Sequence, residues 1–180
     1  AKMERDGIGT NINKQLSDEH FQRAYQWFTE LLDKRCDDNL LYRVGQMAYT
    51  GTGTERNESY GLSLLEKACE LGNVHAKNML ANIYLKNFDI DGIRRIIPLL
   101  TESAEKGVDT AQFALAKCFL LEEEYVCNLP QAIKWLTLSA EQGNQFAQYS
   151  LGRLYLDGRE DFSPDTRQAE SCLLYTSDAA

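Results

Sequence analysis

LSAEQGNQFAQYSLGRLYLDG, residues 138–158, is the stretch that decides the fold. Its first part closes on small residues, an acid and Gly143. Its second part sets Ala147, Leu151, Gly152 and Tyr155 at i, i+4, i+5 and i+8. Those offsets place the four residues on one face of a helix. Gly143, between the two parts, suits the left-handed conformation that ends a helix. The stretch therefore reads as the end of one helix, a tight turn and a second, amphipathic helix.

The same punctuation recurs upstream, which turns one hairpin into an array. Lys67-Ala68-Cys69-Glu70-Leu71-Gly72 and Glu102-Ser103-Ala104-Glu105-Lys106-Gly107 repeat the closing motif, so the glycines recur at intervals of 35 and 36 residues. Each is followed by the second motif, as Ala76, Leu80, Ala81 and Tyr84, then as Ala111, Leu115, Ala116 and Phe119. A degraded copy precedes them in Leu40, Val44 and Gly45, with Cys36 in the glycine's place. In every copy the Gly or Ala after the leucine lets a neighbouring helix approach, and the aromatic fills space one turn further on.

Between these motifs lie loop signals at Gly51–Gly53, Asn87–Gly92, Glu122–Leu129 and Gly158–Ser163. The periodicity predicts helices over 17–35, 40–50, 57–71, 74–87, 93–106, 109–122, 129–142, 145–156 and from 164 onward. Ser163 is expected to cap the last of these, with Pro164 at its first position and Asp165 in its first turn. Pro98 falls within the helix after the second full copy, which predicts a kink or a late start there. Trp27 and Trp135 sit in second-helix patterns and read as core anchors. Residues 1–16 show no periodicity and read as a linker or frayed lead-in, 17–171 as the repeat array with a truncated last copy.

The pattern Ala-x3-Leu-Gly-x2-Tyr, the Ala132-Ile133-Lys134-Trp135 run and the Ala-Glu-x-Gly ending resemble the Sel-one-like repeat, a relative of the tetratricopeptide repeat. The period of 35–36 and the two glycine-rich punctuation points fit the former better than the latter, whose period is about 34. The resemblance covers about residues 37–171 and implies an all-α, right-handed α-solenoid of antiparallel helix hairpins. It further implies an adaptor that binds proteins or peptides, without chemistry of its own. The last nine residues, CLLYTSDAA, resemble a translated sequencing adapter at the end of a metagenomic contig. They are expected to contribute nothing to helicity or melting temperature.

Composition narrows the remaining choices. The net charge of −8 and pI near 4.8 come without any basic cluster larger than a pair, so this segment is not expected to bind nucleic acid. No apolar run is long enough to span a bilayer, since Ile93–Leu100 is broken by Arg94, Arg95 and Pro98. The Ala1 start is neither a natural initiation nor a signal peptide, so the true N-terminus is expected to lie upstream; a cytoplasmic setting is favoured. Five cysteines without a CxxC pair read as free thiols.

No catalytic residue, metal site or cofactor is assigned. Gly51–Gly53 lacks the ending of a phosphate loop and reads as a turn. Asn87–Gly92 mimics half a calcium loop, but Pro98 stands where a bidentate Glu is needed. Cys69 and His75 lack a third group to orient a base, and so read as a core thiol and a solvated histidine. Glu122–Glu124 reads as a solvated loop.

What remains is surface. Successive first helices line one face of a hairpin solenoid. Positions two before and two after the motif leucine share a stripe on that face. They are Tyr42 and Gln46, Asn78 and Asn82, Phe113 and Lys117, Tyr149 and Arg153. Aromatics and arginine are enriched at interfaces, so this stripe is the expected partner-binding lining. Two other roles leave the same residues idle. One is an accessory arm of a larger enzyme, for example a mobile-element relaxase, whose catalytic domain lies elsewhere. The other is a self-associating spacer.

Overall fold

The computed structural model describes residues 2, 6, 13–121, 127–158 and 164–169. Among them, eight helices of two turns or more follow one another: α1 Lys14–Lys34, α2 Asp38–Thr50, α3 Glu58–Glu70, α4 Val74–Asn87, α5 Ile90–Glu105, α6 Asp109–Phe119, α7 Leu129–Glu141 and α8 Gln145–Asp157. No strand occurs among the described residues. The fold class is the all-α array of helix hairpins that the repeat predicts. The adapter-like tail, the Glu122–Glu124 run and Ser163 lie outside the described residues.

Two compact units divide at Leu80/Ala81, within α4. In the first, α2 packs on α3 and α1 packs on α2; in the second, α5 packs on α6, α6 on α7 and α7 on α8. Motif residues form both cores. Val44, Leu65, Ala68, Ala76 and Leu80 are buried in the first unit, and Ile93, Leu100, Leu115, Cys118, Leu136 and Ala147 in the second. Each leucine so enclosed contributes about 1.5–3 kcal/mol relative to leaving it in water. The small residue of the motif sets the helix spacing. A methyl on Gly45 would lie 3.0 Å from Leu64 Cβ, and one on Gly61 would lie 2.5 Å from the Tyr49 nitrogen. The α2/α3 crossing is thus closed by glycine from both sides.

The hairpin turns share one construction. Gly72, Gly107 and Gly143 have φ of 93°, 86° and 87°. In each turn the glycine N–H donates three residues back, to Cys69, Ala104 or Ala140, and the next residue's N–H donates five back, to Ala68, Ser103 or Ser139. These bonds satisfy helix-end carbonyls. Where Cys36 replaces the glycine, α1 ends instead on extended backbone at Arg35.

The residue after the glycine does more than turn the chain. Asn73 Oδ1 accepts the Ala76 N–H at 2.9 Å, while its Nδ2 donates to Asp38 Oδ2 at 2.9 Å and Asn39 Oδ1 at 3.2 Å. Asn144 copies this, accepting from Ala147 and donating to Asp109 Oδ2 at 3.1 Å. One amide therefore caps its own helix and ties it to the first turn of the previous first helix. The intervening copy has Val108 as its cap residue, with no side-chain hydrogen bond, and Val74 where the others carry Asp38 and Asp109.

Four local expectations need correction. Helix α5 neither starts late nor waits for Pro98, because Asp89 Oδ1 accepts the Gly92 N–H at 2.9 Å and fixes the start at Ile90. The calcium-like run is this cap. Helix α1 begins at Lys14, ahead of its periodic stretch, because Asn13 caps it. The helical residues after Pro164 begin at Thr166, and Asp165 is their cap, its Oδ1 accepting the Gln168 N–H. Finally, Trp135 is a core anchor at 6% exposure, but Trp27 is 61% exposed and stacks on Phe28, ring centroids 5.9 Å apart. Among the described residues α1 packs chiefly on α2, and Trp27 stands on its exposed side.

Candidate partner-binding face

The sequence stripe is best considered unit by unit. In the first, Tyr42 stacks on His75, centroids 5.6 Å apart, with the Arg43 guanidinium 5.7 Å from the Tyr42 ring centre. His75 is thus exposed and engaged in a ring contact. Gln46 lines a separate cleft of about 410 Å³ with Phe21, Ala24, Phe28, Arg43 and Met47. Asn78 is partly buried, and its Oδ1 is enclosed without a hydrogen-bond donor among the described residues. Tyr42 and Asn78 line no part of that cleft.

In the second unit the stripe residues come together. Lys117 Nζ donates to Asn82 Oδ1 and lies 5.0 Å from the centre of the Phe113 ring. Phe113 stacks in turn on Phe146, centroids 6.2 Å apart and planes inclined by 26°. One turn along α8, Tyr149 hydrogen-bonds Arg153, which grips Asp157 Oδ2 through Nε at 2.9 Å and Nη2 at 2.7 Å. The hydrogen bonds it makes with Asp157 and Tyr149 raise the pKa of this arginine further. Tyr149, Arg153 and Asp157 border a shallow hollow of about 390 Å³ with Leu120 and Leu154. Phe146 is 73% exposed and Tyr149 54% exposed. Phe146 was not legible as a stripe member, since it precedes the motif alanine and lies outside the two positions flanking the motif leucine.

The electrostatics set Lys117 apart. Its ammonium is half-buried, and loss of water pushes its pKa below the ordinary lysine value. Among the described residues it has no carboxylate partner, whereas Lys106, Arg94 and Arg153 each have one. Burial acts oppositely on the core thiols. Cys69 is pushed up, and Cys118 is pushed up to about 12, both chiefly by desolvation. Such thiols are held protonated and are poor nucleophiles at neutral pH. Cys36 and Cys127 are exposed and free.

Sequence reasoning missed a second set of polar residues, which serve architecture. Gln112 Nε2 donates to the Ala104 carbonyl at 3.1 Å, and Gln148 Nε2 to the Ala140 carbonyl at 3.0 Å. Both lie five residues beyond the turn glycine, a recurrence that the motif alignment could have exposed. They satisfy second-helix carbonyls from the following first helix. Among the described residues no group of three His, Cys, Asp or Glu side chains could hold a metal ion, and no helix is long and apolar enough to cross a membrane.

Hairpins with glycine-capped second helices and small-residue first helices define an α-helical repeat protein of the solenoid class. The Sel1 repeat family matches residues 40–73, 110–144 and 145–178, more than half of the sequence, and the chain belongs to that family. No curated protein matches it in sequence. Among solved structures, a Sel1 repeat protein from Oxalobacter formigenes is similar over 99% of this chain and 70% of its own, at 19% identity and a TM-score of 0.72. A protective antigen of uropathogenic Escherichia coli strains displaying the same repeat fold is 22% identical over 99% of this chain, with a TM-score of 0.45; this chain spans 44% of it. An immunity protein of Pseudomonas aeruginosa is 16% identical over 88% of this chain and 74% of its own, with a TM-score of 0.48. The fold is of a type that generally serves as a protein-interaction scaffold and is typically non-catalytic.

Proposed function

We propose that the chain is a binding scaffold that receives a partner protein or peptide on its first helices, chiefly through Phe113, Lys117, Tyr149 and Arg153, with Phe146 beside them. The observation that carries this reading is the Phe113–Phe146 stack, exposed at Phe146, beside Lys117, Tyr149 and Arg153; Phe113 and Lys117 hold on one first helix the positions that Tyr149 and Arg153 hold on the next. Aromatic and cationic groups around a rigid helical surface are the composition of interface hot spots. Asn82, in the same unit, would extend the lining, while Tyr42, Gln46 and Asn78 hold the same positions within their own copies. The test is selection from a displayed library of random peptides against the full chain. Enriched peptides should lose about tenfold or more in affinity on Phe113→Ala or Tyr149→Ala. Enrichment of nothing, or of peptides indifferent to both changes, would overturn the assignment of this face.

Self-association is the second reading, favoured by Trp27 and Leu16 standing exposed on α1. It predicts a mass that rises with concentration in light scattering and returns to that of a monomer on Trp27→Ser.

A further inference from the structure

We infer that the α6–α8 face selects an extended peptide with an acidic side chain next to an apolar one, the carboxylate seated between Lys117 and Asn82. This rests on the binding reading above and adds the chemistry of the partner.

Lys117 carries a charge that no described residue balances. The chain carries a net −8, so a cation has carboxylates in ample supply. Lys117 nevertheless has none among the described residues. Its hydrogen bond there is to the neutral Oδ1 of Asn82, and its ammonium also lies over the face of Phe113. Withdrawing an ammonium from water without a counter-charge is unfavourable unless something supplies one. An incoming carboxylate would.

The geometry around it suits that group. The ammonium has three N–H donors and commits one to Asn82. With its oxygen committed to Lys117, Asn82 keeps an Nδ2 that makes no hydrogen bond among the described residues. Two donor groups from helices one repeat apart thus lie side by side, and a carboxylate has two oxygens to receive them. The apolar neighbour is provided for as well. Phe113 connects the cation to Phe146, which is 73% exposed, and Tyr149 follows on the same helix. A peptide residue beside the acid would cover this aromatic shelf and withdraw the new ion pair from solvent.

The anion is assigned to a side chain within a peptide, its apolar neighbour lying on the Phe146–Tyr149 shelf beside Lys117, and a chain terminus is the alternative that the experiment separates. Arg153 is already neutralised by Asp157, which leaves Lys117 as the selective cation.

The experiment uses the full chain and peptides enriched by the library selection, synthesised with amidated C-termini so that their only carboxylates are on side chains. Fluorescence anisotropy then compares each peptide with its Glu→Gln or Asp→Asn version. Wild-type protein should lose about tenfold in affinity, the scale of one hydrogen bond to a charged group. Lys117→Gln should bind both versions alike. Lys134→Gln, a cation over Trp135 on α7, should behave as wild type. Asn82→Ala provides a second variant with a smaller loss, should Lys117→Gln lower the melting temperature. Enriched peptides without a shared acidic position would overturn the inference, as would equal losses on wild type and Lys117→Gln, while leaving the binding reading intact. Binding only by peptides with a free C-terminal carboxylate would overturn it in favour of a terminus. Absence of any enriched peptide would remove the binding reading itself.

Discussion

Gly53 and Gly107 both adopt the left-handed conformation, yet they hold the chain for different reasons. A methyl on Gly107 would meet nothing within 4 Å, so its contribution is conformational alone. A methyl on Gly53 would lie 2.3 Å from the Phe21 carbonyl oxygen, because the α2–α3 turn sits directly on the α1 backbone. Gly107→Ala should therefore cost about 1–2 kcal/mol, the penalty for a left-handed L-residue. Gly53→Ala should cost clearly more, read as the larger fall in urea midpoint. Gly107→Val should exceed Gly107→Ala, since branching resists the same conformation. Equal effects at the two sites would contradict the contact with α1. A second residue-scale outcome concerns Cys118. Its folded pKa of about 12 lies above the ordinary value of 9.0, so the unfolded chain loses the proton first as pH rises. Its contribution to stability is complete below pH 9 and is lost between 9 and 12. Melting temperature should decline over that window, and less steeply in Cys118→Ala.

At the scale of the element, first helices differ in how they begin. Asn73 and Asn144 cap α4 and α8 and reach back to the preceding first helix, while α6 starts on Val108 without a side-chain cap. Val108→Asn should stabilise the chain by about 1 kcal/mol, the usual difference between a good cap and an apolar one. Chemical denaturation with fluorescence of Trp135, buried on α7, would measure it. Element starts of this kind are where the sequence was hardest to read. The apolar period of α5 begins at Ile93, but Asp89 draws the helix back to Ile90 through one hydrogen bond. The turns were plain, because a glycine recurring every 35 or 36 residues has few other meanings. Trp27 shows the opposite difficulty. Its spacing is that of a core residue, and periodicity reports which face a residue occupies without reporting whether anything covers that face. The candidate site was legible for the same geometric reason as the core, as positions in register. Phe146 and the pairing of Lys117 with Asn82 were not, since they depend on how side chains settle between helices.

The whole molecule is two compact units built from copies of one hairpin, and each unit contains one tryptophan, Trp27 exposed and Trp135 buried. The bonds from Asn73 to Asp38 and from Asn144 to Asp109 both span 35 residues and both fall inside a unit. Val74 and Val108, which replace this pairing, bracket a stretch of matching length. Removing residues 74–108 would join Asn73 to Asp109 in register, with Ala111 taking the place of Ala76 as acceptor partner of the cap. Every remaining first helix would then start on Asp or Asn, and both cross-repeat bonds would survive. Such a shortened protein should keep its ellipticity per residue and a blue-shifted Trp135 emission. In genetic terms, an unequal crossover between neighbouring copies would remove one copy in a single event while every remaining first helix keeps its cap.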